Sequence, residues 1–305
     1  MAPLQYPPAA PRPASVEPEE SSAAESLDLF LYKEALRTRF PGPEEIFRRA
    51  EQRQRTRQTA AKAGATSAVI AVLAASLWMV DPVYRSETFA TAVGETRTHV
   101  LADGSTVALN TGSTLDVQWH LRSRQLRLVR GEAMFRVDHG VRDFIVHTPQ
   151  ASIRDIGTAF NVRLDEAVGQ HGVAVTVVEG AVEVRTGPRA AMLTAGQTVF
   201  AAPSGLQPPR VTDLAVSTAW QRGKLVFDGT PLHRAVNEMR RYHTASIVLD
   251  IPDAQASALR LSGEFDHRRI DTLLDLLPTI LPVRLQRRPD GEVVITAKTI
   301  PVGRP

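Results

Sequence analysis

The side chains best suited to chemistry in this chain are its eight histidines, His99, His120, His139, His147, His171, His233, His243 and His267. A zinc site or a metalloprotease helix needs two of them at close, fixed spacing, because both rings must reach one ion. No HxH or HExxH spacing occurs. No GxSxG elbow, Walker A loop or GxGxxG turn is present, and Gly157-Thr158 reads as a turn before a strand. Asp155 and Asp165 are isolated and do not define a carboxylate pair. The chain has no cysteine, which excludes disulfides, thiolate metal sites and cysteine nucleophiles. We therefore expect no catalytic residue, no cofactor and no metal, and look for interaction surfaces instead.

The elements that would position such surfaces fall into blocks. A length of 305 residues allows two or three compact units. The 36 basic and 33 acidic residues are interspersed, so the net charge of +3 does not form the clustered footprint of a nucleic-acid binder. No direct nucleic-acid contact is expected.

Residues 63–80, AGATSAVIAVLAASLWMV, carry no charge. A helix of that length spans roughly 27 Å, close to the hydrocarbon core of a bilayer. A buried core helix is the alternative, but the flanks favour a span. Arg48, Arg49, Arg53, Arg55, Arg57 and Lys62 precede it, opposed by Glu51, whereas Asp81, Arg85 and Glu87 follow. The positive-inside rule then places 1–62 in the cytoplasm and 81–305 outside. An n-region of that length argues against a cleaved signal peptide. The expectation is a single-pass protein of a bacterial inner membrane, with its N-terminus cytoplasmic and C-terminus periplasmic.

Residues 1–25, rich in Pro, Ala, Ser and Glu, lack core periodicity and are expected to be disordered. From Ser26 a helical pattern places Leu27, Phe30, Leu31 and Ala35 on one face. Pro41-Gly42-Pro43 breaks it, and a second helical stretch from Glu44 to Lys62 carries Ile46 and Phe47. This tail is either a solvated tether or a hook that folds against a partner.

Between Val100 and Ala202 short alternating stretches read as strands, among them 106–109, 114–119, 125–129, 133–137, 144–147, 159–164, 173–178 and 181–185. Turn signals such as Asp103-Gly104, Arg130-Gly131 and Glu179-Gly180 separate them. Spacing of this kind means a sandwich, barrel or irregular β-solenoid. After a linker at 203–209 the period changes. Lys224–Phe227 reads as a strand, Thr230 as a helix cap with Pro231 at the first helical position, and Leu232, Ala235, Val236 and Met239 as a helix face. A second strand, helix and strand follow, with a hairpin through Pro289-Asp290-Gly291. The two βαβ-like units form a small α+β module. The expected domains are the tail 1–62, a transmembrane helix 63–80, a linker 81–96, a β domain 97–204 and the α+β module 217–298.

Several stretches in order resemble the FecR family of inner-membrane anti-sigma regulators, named for ferric-citrate signalling. They are Leu101-Ala102-Asp103-Gly104-Ser105, Val129-Arg130-Gly131-Glu132-Ala133 with Phe135, Arg142-Asp143-Phe144, and Gly157-Thr158-Ala159-Phe160-Asn161-Val162. Val178-Glu179-Gly180, Ala195-Gly196-Gln197, Ala219-Trp220, Gly223 to Phe227, Pro231-Leu232, Arg241-Tyr242 and Gly263-Glu264-Phe265 continue the series. The C-terminal stretch is similar to the short secretin/TonB N-terminal module appended to such regulators. Family members commonly carry tryptophans in the cytoplasmic segment. Here the three tryptophans are Trp78, Trp119 and Trp220, so the tail has none.

The resemblance implies a non-enzymatic regulator. A TonB-dependent outer-membrane receptor, on binding an iron chelate or haem, would present its periplasmic signalling domain to the C-terminal module, with Leu225, Phe227, Pro231 and Leu232 as contact candidates. Periplasmic and intramembrane proteases would carry the signal inward. Leu27, Phe30, Leu31 and Phe47 would meet an extracytoplasmic-function sigma factor. The rival reading is a membrane-tethered periplasmic binding or scaffolding protein without a cytoplasmic partner.

Overall fold

The structure, a computed structural model, describes residues 32–35, 42–138, 140, 142–165 and 171–298. Leu27, Phe30 and Leu31 lie outside the described residues. The chain divides into two units, 1–76 and 77–305.

In the first unit Pro43 opens a long helix, α1 (Pro43–Val80), which runs on to the start of the second. The Gly42 carbonyl accepts the amides of Glu45 and Ile46, and proline at the first helical position costs no hydrogen bond. Phe47 is exposed, as are Val69, Ile70, Val72 and Leu73. Among the described residues no helix is long and apolar enough to cross a membrane. The side chains of Ala63 and Thr66, inside the expected span, lie outside that description.

Among the described residues the second unit begins with fifteen strands. They are β1 (Val83–Ala90), β2 (Arg97–Val100), β3 (Thr106–Leu109), β4 (Thr114–His120), β5 (Ser123–Arg130), β6 (Glu132–Arg136), β7 (Asp143–His147) and β8 (Ser152–Asp155). Then come β9 (Ala159–Asp165), β10 (Gly172–Glu179), β11 (Ala181–Thr186), β12 (Arg189–Thr194), β13 (Gln197–Ala202), β14 (Gly205–Leu206) and β15 (Arg210–Val211). One sheet has the order β1-β4-β5-β7-β8-β11-β12, the other β14-β13-β10-β9-β6-β3-β2, with β15 also on β13. The chain winds from sheet to sheet, one to three strands at a time. Alternation within each strand sends one face inward: Leu115, Val117, Leu126, Val146 and Ile153 from the first sheet meet Val107, Leu109, Phe135, Phe160 and Val175 from the second in one core. Phe135 stacks on Phe160 at 5.1 Å and meets Phe144 edge-on at 6.0 Å. Each such buried side chain contributes about 1.5–3 kcal/mol. Among the described residues the β architecture is thus a sandwich with no closed barrel.

Two expected linkers are part of this sandwich. Residues 81–96 carry β1, which pairs with β4 over almost its full length. Residues 203–209 are not free either, because β14 and β15 both pair with β13. Proline and glycine in these stretches marked turns, and main-chain pairing with distant strands decided the rest.

The C-terminal module follows a short helix, α2 (Leu214–Ser217), and a 3-10 turn at Ala219–Arg222. It contains β16 (Lys224–Pro231), α3 (Leu232–Tyr242), β17 (Ile247–Asp250), α4 (Asp253–Ala258), β18 (Arg260–Asp266), α5 (Ile270–Ile280), β19 (Val283–Arg287) and β20 (Val293–Ala297). Thr230 does not cap α3. It still pairs with Leu261 in the β16–β18 ladder, and Pro231 takes the cap position without a side-chain bond. The strands flanking each long helix lie in different sheets: β16 pairs with β18, while β17, β20 and β19 form a three-stranded sheet. The units are therefore not βαβ crossovers within one sheet. Both helices bury their apolar faces in a common core, Leu232, Ala235, Val236 and Met239 from α3 and Ile270, Leu273, Leu274 and Leu277 from α5.

Candidate functional site

A chain of four buried or half-buried charges lies where α3 meets the outer face of the second sheet. Glu132 opens β6, directly after Gly131. That glycine has φ +85°, and a Cβ there would fall 2.6 Å from the Ser113 Cα, so no larger residue fits the turn that presents Glu132. The Glu132 side chain is 4% exposed. Asn161 of β9 donates to its Oε1 at 2.8 Å, and Asn110 donates to its Oε2 at 2.9 Å. Arg241, near the end of α3, donates to the same Oε2 at 2.7 Å and to Glu238 at 2.7 Å. Arg163 of β9 completes the chain with a 2.7 Å ion pair to Glu238. Two arginines and two carboxylates thus alternate across the junction, one of each from either side.

Neutral bonds extend the contact. Asn110 also donates to the Tyr242 hydroxyl at 2.7 Å, and the Thr111 hydroxyl donates to the Arg241 carbonyl at 2.8 Å. The Tyr242 ring stacks on His267 at 4.9 Å. The charge-assisted bonds among Glu132, Arg163, Glu238 and Arg241 have about twice the strength of these neutral ones and are directional. They fix one docking geometry for the C-terminal module.

The electrostatics follow from the geometry. Burial pushes the Glu238 carboxyl up, but Arg163 and Arg241 more than reverse this and hold it at about 2. Burial works against the Arg241 charge, yet Glu238 and Glu132 hold its proton more firmly than usual. Burial also raises the Tyr242 hydroxyl, keeping it neutral. A carboxylate whose folded pKa lies below its ordinary 4.5 stabilises the fold fully above that value and loses its contribution as pH falls toward 2. Thermal melts should therefore show a Glu238-dependent fall in stability between pH 4.5 and about 2, absent from Glu238→Gln. An identical acid profile in the two proteins would show that the junction is not under this control.

Beside the network, a cleft of about 1370 Å³ separates the second sheet from the C-terminal module. Arg163, Thr176, Phe200, Lys224, His233 and Asn237 are among its lining residues. Among the described residues no group of three histidine, aspartate or glutamate side chains converges to hold a metal ion. The site is built to hold polypeptide surfaces in register.

Residues 87–183 match the family model described as FecR protein. This stretch is a FecR domain. Glu132 and Asn161 lie in it, and their partners Arg241 and Tyr242 lie in the module beyond it. Two crystal structures of a proposed anti-sigma factor from Parabacteroides distasonis share the fold, each at 25% identity, with TM-scores of 0.59 and 0.58. The likeness covers 70% and 69% of this chain and 99% of theirs, so it reaches well past the FecR domain. No curated protein matches the chain.

The residues expected to contact partners fare differently. Leu225, Phe227 and Leu232 are buried in the core of the C-terminal module, and Pro231 is half-buried at the end of β16. Most of their apolar surface packs into that core, and Leu225 and Phe227 also line the cleft beside the network. Phe47 is 70% exposed on α1. The polar residues of the junction escape sequence reasoning because their partners lie far along the chain, Arg241 from Glu132 and Arg163 from Glu238. The available signal was the run Val173 to Val178, apolar on both faces apart from Thr176, which implies that something covers the outer side of the sheet.

Proposed function

We propose that this chain is an anti-sigma regulator anchored in the inner membrane. Its N-terminal tail would hold an extracytoplasmic-function sigma factor, and its FecR domain and C-terminal module would receive a periplasmic signal. The observation that carries this reading is the FecR domain inside a fold shared with the proposed anti-sigma factor from Parabacteroides distasonis over 99% of the latter's length. Exposed Val69, Ile70, Val72 and Leu73 on α1 support the anchor, since an apolar helical surface of that kind calls for a nonaqueous partner.

In the proposed sequence of events an outer-membrane TonB-dependent receptor loaded with an iron chelate or haem engages the periplasmic part. Among the described residues β16 pairs only with β18, which leaves an edge able to accept a further strand. Main-chain pairing there would not require the buried Leu225 or Phe227. Proteolysis would then release the tail. Neither step asks for a catalytic group in this chain.

Deleting residues 26–50 from the chromosomal copy should change transcription of the target operon several-fold, read by a reporter with and without inducer. Unchanged transcription in both conditions would favour a tethered periplasmic scaffold instead.

A further inference from the structure

The geometry points to the helix-proximal end of the FecR domain as a seat for anionic phospholipid headgroups; this rests on the membrane-anchored reading above. Helix α1 ends at Val80 and β1 starts at Val83. The two intervening residues span no more than about 7–11 Å. A membrane helix ending there therefore leaves this end of the domain at the lipid surface.

Asp81 fixes which residues lie at that exit. It adopts φ +46°, and its carboxylate accepts the Arg122 amide at 2.8 Å and the Ser123 hydroxyl at 2.9 Å. Its carbonyl lies 2.6 Å from the His120 Nδ1. The turn at Leu121-Arg122 is thereby pinned beside the end of the helix. Register brings the rest together: Val83 lies opposite His120, and Ser123 opposite Asp143. The starts of β1, β5 and β7 and the end of β4 thus share one end of the sheet.

The residue types at this end match a headgroup layer. Trp78, Val83, Tyr84 and Leu121 are 66%, 47%, 57% and 46% exposed. Amphipathic aromatic rings favour the membrane interface. The Arg122 guanidinium lies 4.4 Å from the Trp78 ring centroid, and Arg142 lies 5.8 Å from that of Tyr84. Arg142 donates to the Tyr84 hydroxyl and to the His120 carbonyl, at 2.9 and 3.4 Å. A stacked guanidinium retains edge donors that fit phosphate oxygens. The nearby acids are engaged: Glu87 pairs with Arg85 at 3.0 Å, Asp143 with Arg154 at 2.9 Å, and Asp81 lies 4.0 Å from Arg122.

The absence of native cysteine permits a clean test. Leu121→Cys, Val72→Cys and Met192→Cys would each carry one environment-sensitive fluorophore in the full chain, in phosphatidylglycerol nanodiscs. Met192 lies on β12, at the opposite edge of the same sheet, and is exposed. Spin-labelled headgroups should quench the label at 121 and spare that at 192, while brominated acyl chains quench the label at 72. Adding Arg122→Glu and Arg142→Glu should reduce the seated population on the order of tenfold. Circular dichroism would check folding, and glutamine substitutions at both arginines provide a milder variant. The seat is overturned if 121 stays bright while 72 is quenched. It is equally overturned if charge reversal changes nothing, since tethering alone would then explain proximity. A bright label at 72 would overturn the anchored reading and the seat with it.

Discussion

Arg241→Met should lower the stability of the second unit, residues 77–305, by about 3–5 kcal/mol, because it strips a charge partner from two partly or fully buried carboxylates at once. Methionine fills similar space but donates no hydrogen bond. Glu132, with a side chain 4% exposed, would keep only its two asparagine donors. Glu238 would keep only Arg163. Urea unfolding should register the loss, and limited proteolysis should become faster around residues 203–218 as the module undocks. Combining Arg241→Met with Glu132→Gln should recover part of the stability, since the stranded charge is then gone. A loss below about 1 kcal/mol would mean that the network behaves as a solvated surface pair. The junction could then not set the docking of the C-terminal module.

Leu73→Arg is expected to move much of the full-length chain out of the membrane fraction. An arginine near the centre of a spanning helix costs about 2.5–3.5 kcal/mol, and the lost leucine adds a few tenths more. The helix has little to set against this. Alanines make up much of 63–80, and Val69, Ile70, Val72, Leu77 and Val80 each favour insertion by only about 0.3–0.6 kcal/mol. Fractionation after alkaline carbonate washing would read the effect. If the parent chain itself washes off, or if the variant stays as firmly bound, α1 is not a spanning segment. The proposed relay would then lose its route across the bilayer.

Much of the fold was legible because strand and helix periods were strong. Thr106–Leu109 and Ile270–Ile280 emerge where alternation and the i, i+3, i+4, i+7 pattern place them. Strand β1 was not legible. Its sequence, VYRSETFA, alternates weakly, and most of it stays exposed, so its place is fixed by hydrogen bonding to β4. Thr230-Pro231 shows the opposite failure. A strong local helix-start signal gave way to one more pair of ladder contacts with β18.

The candidate site divides the same way. Sequence alone determined that the chain lacks thiol chemistry, that an uncharged segment follows a basic one, and that glycine-marked turns punctuate a β-rich region. Each depends on residue type or on neighbours close along the chain. Tertiary structure alone decided that Glu132 and Arg241, 109 residues apart, share a buried hydrogen bond. It also decided that Leu225, Phe227 and Leu232 pack into the core of the C-terminal module. A polar residue next to a turn looks solvated until the element covering it is known. Burial is a property of both partners, and only the docked module supplies the second.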